Sequence, residues 1–225
     1  MTSADIAEKT KLEMRAATIL MLTLLCAPQS AWAQEDADET NYIPKTERRD
    51  GFSVGLGYGL GLGNYVGYPN EVEAINNPEY RSSTGTSLAS GLSVWLGGAL
   101  RDWLTVGVGM TTQGGSNGDL LAGGAAFGMH LEGFPLFGLG ELWRDLGIIA
   151  EFGAGSALIE DGDGNETANG GSMSMVGFGL LYEPWQFWRM STGPTLMYKY
   201  QFSDSMTAST VLLGWRLAFY WTQPG

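Results

Sequence analysis

GFSVGLGYGLGLG, residues 51–63, alternates without a break between a large apolar side chain and glycine or serine. Phe52, Val54, Leu56, Tyr58, Leu60 and Leu62 share one face, while Ser53 and the glycines share the other. A period of two marks a strand, because successive β side chains point to opposite faces. The run of 13 residues exceeds the usual five or six of a soluble strand. It matches the about 9–11 residues with which a tilted strand crosses a bilayer. A face of glycine suits the inside of a narrow barrel, and the large apolar face suits lipid.

The same alternation recurs in seven further runs: 86–98, 103–112, 119–131, 147–158, 172–183, 190–202 and 208–221. Leu92, Val94 and Leu96 point outward in the first of these. Val106, Val108 and Met110 do so in the second, opposite Thr105, Gly107, Gly109 and Thr111. The last run turns out Val211, Leu213, Trp215, Leu217, Phe219 and Trp221, leaving Gly214, Arg216 and Ala218 inside. Eight strands of this kind close into an antiparallel up-and-down transmembrane β-barrel without a free edge. Splitting the 132–146 connection would give ten. With the N-terminus periplasmic, the outer loops are 64–85, 113–118, 159–171 and 203–207, and the inner turns are 99–102, 132–146 and 184–189. Trp103, Trp143, Trp185, Trp188 and Trp221 then fall at the inner rim, and Tyr65, Tyr68, Tyr80, Tyr200 and Phe202 at the outer one. Two aromatic belts are the girdles of a lipid-facing barrel.

Over residues 51–221 the chain resembles the small eight-stranded bacterial outer-membrane barrels of the OmpA/OmpX type. The resemblance is architectural. It includes Gly214, Leu217 and Phe219, spaced as in the terminal-strand signal used to assemble such barrels, although the chain continues to Thr222-Gln223-Pro224-Gly225 instead of ending on an aromatic residue. It implies residence in the outer membrane, contact with its lipid and lipopolysaccharide, and loops able to meet an extracellular partner.

The N-terminus agrees with export. AATILMLTLLCA, residues 16–27, is an apolar run followed by Ala31-Trp32-Ala33, the core and A-x-A site of a secretory signal peptide. Cleavage is expected after Ala33, with Met14 as the true start, since Asp5, Glu8 and Glu13 dilute the basic flank. Cys26, the only cysteine, leaves with the signal; Thr23 and Leu25 give a poor lipobox around it. Residues 34–50 are polar, acidic and aperiodic, and read as a disordered periplasmic lead-in to a barrel at 51–225. The net charge of −12 excludes a basic nucleic-acid interface. No cofactor is expected.

Few charges lie on the inward face: Glu151, Lys199 and Arg216, with Glu183 and His130 toward the inner rim. Opposite charges in a narrow lumen pair with one another, because an unpaired buried charge is costly. Either Lys199 or Arg216 is a candidate partner for Glu151. The resulting reading is a structural or interaction barrel with acidic outer loops that contributes to envelope integrity. The alternative is a narrow passive channel or a conduit for small hydrophobic molecules. A third reading, a lipid A-modifying enzyme built on His130 and Glu132, lacks an oriented catalytic partner, so no enzymatic activity is expected. In the 159–171 loop, Asp161, Asp163 and Asn165 have the first spacings of a calcium loop, but Glu166 replaces its glycine and Ser172 its bidentate glutamate. The loop therefore reads as a flexible acidic surface segment, and no metal site is expected.

Overall fold

The computed structural model of the protein describes residues 49–221 apart from Gly140. The signal segment, Met14, Cys26 and residues 34–48 of the lead-in lie outside the described residues. Ten strands follow in order: β1 Gly51–Gly67, β2 Ser82–Arg101, β3 Leu104–Asn117, β4 Leu120–Gly133, β5 Leu146–Glu160, β6 Glu166–Asn169, β7 Met173–Tyr182, β8 Trp185–Phe187, β9 Met190–Phe202 and β10 Met206–Trp221. Eight of them pair in sequence as β1-β2-β3-β4-β5-β7-β9-β10, and β10 returns to β1. Every pairing is antiparallel and the sheet is closed. Short β6 adds to the end of β5, and short β8 to the end of β9.

Alternation sets the phase of each wall. Leu56 faces Leu217 and Val94 across the two neighbouring strands, all three on the outside. The outward apolar residues stay uncovered: Leu60 is 58% exposed and Leu213 67%. In a soluble protein such a continuous apolar surface would be a liability; around a closed barrel it is the lipid face. Among the described residues no helix is long and apolar enough to cross a membrane, so the strands do the crossing, with their backbone groups paired around the ring.

Two features differ from expectation, the 113–118 loop and the placing of Tyr65, while the 132–146 connection keeps the eight-strand count. The 113–118 loop contracts to a two-residue turn between β3 and β4, because Gly118 takes a φ of 60°, the conformation a tight hairpin turn gives to glycine. The 132–146 connection holds no strand; it folds through turns and a short helix, Glu141–Arg144, and tucks Phe134 into the end of the barrel. Tyr65, expected in the outer belt, is fully buried, because Leu62 points out and three further residues reverse the face.

Candidate functional site

The lumen is where polar chemistry collects. Trp95 on β2 projects into it and is 4% exposed. Its indole stacks on the His130 ring with centroids 4.9 Å apart and planes 9° from parallel. The Arg216 guanidinium carbon lies 5.2 Å from the centre of the Trp95 ring. A large aromatic fits because its cross-strand partner is Gly55, where any Cβ would fall within the indole.

Around this stack, acids and bases alternate along a ladder. Lys199 Nζ sits 3.2 Å from Glu151 Oε2. It also donates to Ser93 Oγ at 2.7 Å and to Thr111 Oγ1. Glu151 Oε1 lies 3.1 Å from His130 Nδ1, and His130 Nε2 lies 2.7 Å from Glu132 Oε1. Both ring nitrogens thus meet carboxylate oxygens. A neutral imidazole has one N–H to donate, so this geometry fits the imidazolium, each nitrogen donating to one glutamate. Arg216 Nη1 approaches the same Glu132 oxygen at 2.8 Å, and its Nη2 approaches Glu183 Oε1 at 3.2 Å.

The ladder continues into the segment that precedes the first strand. Arg49 Nε donates to Glu183 Oε2 and its Nη2 to Asp145 Oδ1, both at 3.2 Å. Its Nη1 donates to the Asp102 carbonyl, and its backbone N–H to Asp102 Oδ1, again at 3.2 Å. Arg144 also pairs with Asp102. The Arg49 guanidinium lies 3.5 Å above the Phe134 ring and is 1% exposed. Burial by itself would lower its pKa. The field of Glu183, with that of Asp102 and the hydrogen bond to Glu183, raises it above the ordinary value instead, so Arg49 is a permanent cation. The lead-in read as 34–50 thus ends two residues too late: Arg49 packs with the barrel.

Glu151, Lys199 and Arg216 are all buried in the lumen, as are His130 and Glu183. The structure brings Glu151 to Lys199 and not to Arg216, whose acids are Glu132 and Glu183. Glu132, Arg49 and Trp95 are the lumenal residues that sequence reasoning left out. Glu132 keeps the inward parity of His130, so extending the alternation of β4 by two residues finds it. Trp95 was equally legible by parity, lying between outward Val94 and Leu96. No local signal marks Arg49.

Space is scarce. A cavity of about 40 Å³ remains beside the ladder, between the charged wall and Gly57, Gly59, Gly91 and Gly214. One water needs roughly 10–15 Å³, so the cavity has room for a few waters. Above it, Thr210 Oγ1 donates to Gln113 Oε1 at 2.7 Å, and an apolar cluster of Tyr65, Ile159, Met173 and Met206 fills the far end. The loop after β5 folds over that end. Asn169 donates its N–H to the Tyr68 carbonyl and Gly170 to the Ala157 carbonyl, and Ser205 Oγ donates to the Asn169 carbonyl. Ala168 is fully buried beneath.

In the same loop, Asp161 and Asn165 do meet, but as acceptor and donor. Asn165 gives its backbone N–H at 2.8 Å and its side-chain amide at 3.0 Å to the Asp161 carboxylate. These bonds, the side-chain ones first, hold the exposed Asp161 carboxyl below its ordinary pKa. An amide nitrogen turned toward the carboxylate is not the oxygen a shared cation requires. Among the described residues no cluster of His, Cys, Asp or Glu has the geometry to hold a metal.

The chain is a transmembrane β-barrel. Comparison of the fold finds the attachment invasion locus protein Ail of Yersinia pestis at TM-score 0.46 and 13% identity, covering 76% of this chain and 99% of that one. Neisserial surface protein A matches at TM-score 0.45 and 8% identity, over 73% of this chain and 95% of that one. The outer membrane protein OprG from Pseudomonas aeruginosa matches at 0.40 and 9%, over 77% and 98%. No protein-family model and no curated protein matches the sequence.

Proposed function

We propose that this protein is a non-enzymatic outer-membrane barrel with a closed lumen, a rigid anchor that presents acidic loops outside the cell and contributes to envelope integrity. The observation that carries this reading is the ion-pair ladder from Lys199 to Arg49, which fills the lumen from its middle to the rim bearing the chain start. Eight strands enclose a space just wide enough for side chains, and here those side chains are paired charges and an indole. A ladder held by partners on many strands braces the wall; it does not offer sites through which an ion could pass.

The opposite rim is where a partner would be met. Glu71, Glu73, Glu79, Asp119, Asp161, Asp163, Glu166 and Asp204 lie there, against Arg81 as the base. Such a field repels anionic surfaces and favours cationic ones. His130 has both nitrogens engaged with carboxylates, which leaves it no free lone pair with which to act as a general base. The deciding experiment is conductance of the refolded protein in planar bilayers. Silence at moderate and high salt is expected; steady conductance that grows with salt would replace the closed anchor with the channel.

A further inference from the structure

The hairpin from β8 to β9 turns on two residues, Trp188 and Arg189, since Phe187 pairs with Met190. Trp188 takes a φ of 55°. A positive φ at the first position of such a turn is the place a type II′ hairpin gives to glycine, which enters it without steric cost. A tryptophan there is strained, and burial does not offset the strain. Its ring meets Phe219 nearly edge-on at 5.8 Å and stays 79% exposed. Strain that packing does not explain collects where a side chain must be presented to a ligand. The surroundings of Trp188 are specific as well. Phe219, on the outward face of β10, meets Trp221 at 5.4 Å, and on the same face Trp185 stacks on Trp215 at 5.3 Å. Together they make a strip of rings on the lipid face at the rim that bears the chain start. At its tip the Arg189 guanidinium lies 5.5 Å from the centre of the Trp188 ring. Arg49, Arg144 and Arg216 at this end all pair with acids, whereas Arg189 forms no ion pair among the described residues.

We propose that Trp188 and Arg189 bind the headgroup of one anionic phospholipid, whose acyl chains lie along the strip of rings. A guanidinium presents paired N–H donors that match the oxygens of a phosphate. An indole is suited to the level where acyl chain meets headgroup, with its ring in the apolar layer and its N–H toward water. The unpaired charge sets the choice of lipid. A zwitterionic headgroup brings its own cation beside the phosphate, so Arg189 adds most to a lipid that has none. Arg101, an unpaired arginine on the same rim, has no ring beside it among the described residues. The hairpin carbonyl of Arg189 accepts the Tyr220 N–H at 2.9 Å, which fixes the tip against β10. This site depends on the barrel standing in lipid and is independent of whether its lumen is closed.

The test is native mass spectrometry of the refolded barrel in detergent, with phosphatidylglycerol or phosphatidylcholine of the same acyl chains. The barrel should retain phosphatidylglycerol roughly tenfold more strongly. Arg189→Gln and Trp188→Gly should each remove that preference, and Arg101→Gln should keep it. Trp188→Gly places glycine where the turn favours it, so heat-modifiable mobility on gels should show folding at least as complete as in the native chain. Loss of binding is thereby separated from loss of fold, and Arg189→Gln decides alone if Trp188→Gly misfolds. Equal retention of the two lipids by the native barrel would overturn the site. So would a preference that survives Arg189→Gln, or one that Arg101→Gln removes equally, which would reveal a diffuse attraction to the rim. Displacement of phosphatidylglycerol by millimolar inorganic phosphate alone would overturn the lipid as the ligand.

Discussion

Trp95 lies directly over the Cα of Gly55, its partner across the β1–β2 ladder, so the indole stands where a side chain at residue 55 would begin. The glycine on β1 and the tryptophan on β2 are therefore one feature. The first makes the room and the second spends it on a stack against His130.

Gly55→Ala should displace that indole and loosen the ladder behind it. Overpacking of a filled interior costs about 1–3 kcal/mol. Gly57→Ala, two residues on, should be near neutral, because a Cβ there meets nothing closer than a carbonyl at 4.0 Å. Urea unfolding in detergent, followed by tryptophan fluorescence, compares the two. Equal losses would remove the special pairing of Gly55 with Trp95.

Leu56→Arg should impair folding far more than Gly57→Ser, although the residues are adjacent. Leu56 is 46% exposed on the lipid face, where a midplane charge costs about 2–4 kcal/mol. Gly57 lines the cavity, which accepts a hydroxyl. The folded fraction after refolding into lipid vesicles reads the difference directly.

Glu151 and Lys199 should show the larger coupling energy in double-mutant cycles, and Glu151 with Arg216 the smaller. The first pair is in contact at 3.2 Å; the second communicates only through His130 and Glu132. Neighbours within a network couple by about 0.5–3 kcal/mol. Removing Glu151 alone leaves Lys199 with hydroxyl acceptors only, and should cost toward the about 3–5 kcal/mol of a broken buried pair. A larger coupling to Arg216 would show that the ladder is ordered differently.

The Asp161–Asn165 turn should lose order in acid. Its carboxyl titrates below the ordinary value when the turn is formed, so the turn's advantage is complete above the ordinary aspartate pKa of about 3.9. It fades as pH falls through the lower, folded value. The protection factor of the Gly164 amide, whose N–H donates to the Asp161 carbonyl, should be flat above about pH 5 and fall only in acid. Asp161→Ala should abolish that pH dependence.

Strand identity and phase were local properties, and the sequence carried them. Whether Leu56 or Gly57 faces lipid follows from the period of two alone, and all eight barrel strands lie where that period places them. The same rule put Glu151, Lys199 and Arg216 on the inward face. It could not say which of them meet, because register between strands and the tilt of the ring decide that. Glu183 and Arg49 are 134 residues apart, and nothing in the composition of either segment names the other. Tyr65 shows the limit at shorter range: its place near a rim suggested a girdle, while its parity turned it inward. The sequence by itself determined a lipid-facing barrel with a sparse charged interior, since side-chain alternation is written residue by residue. Only the tertiary structure decided that the charges form a ladder, that Gly55 makes room for Trp95, and that Arg49, ahead of the first strand, joins that ladder, since each depends on closing the sheet into a ring.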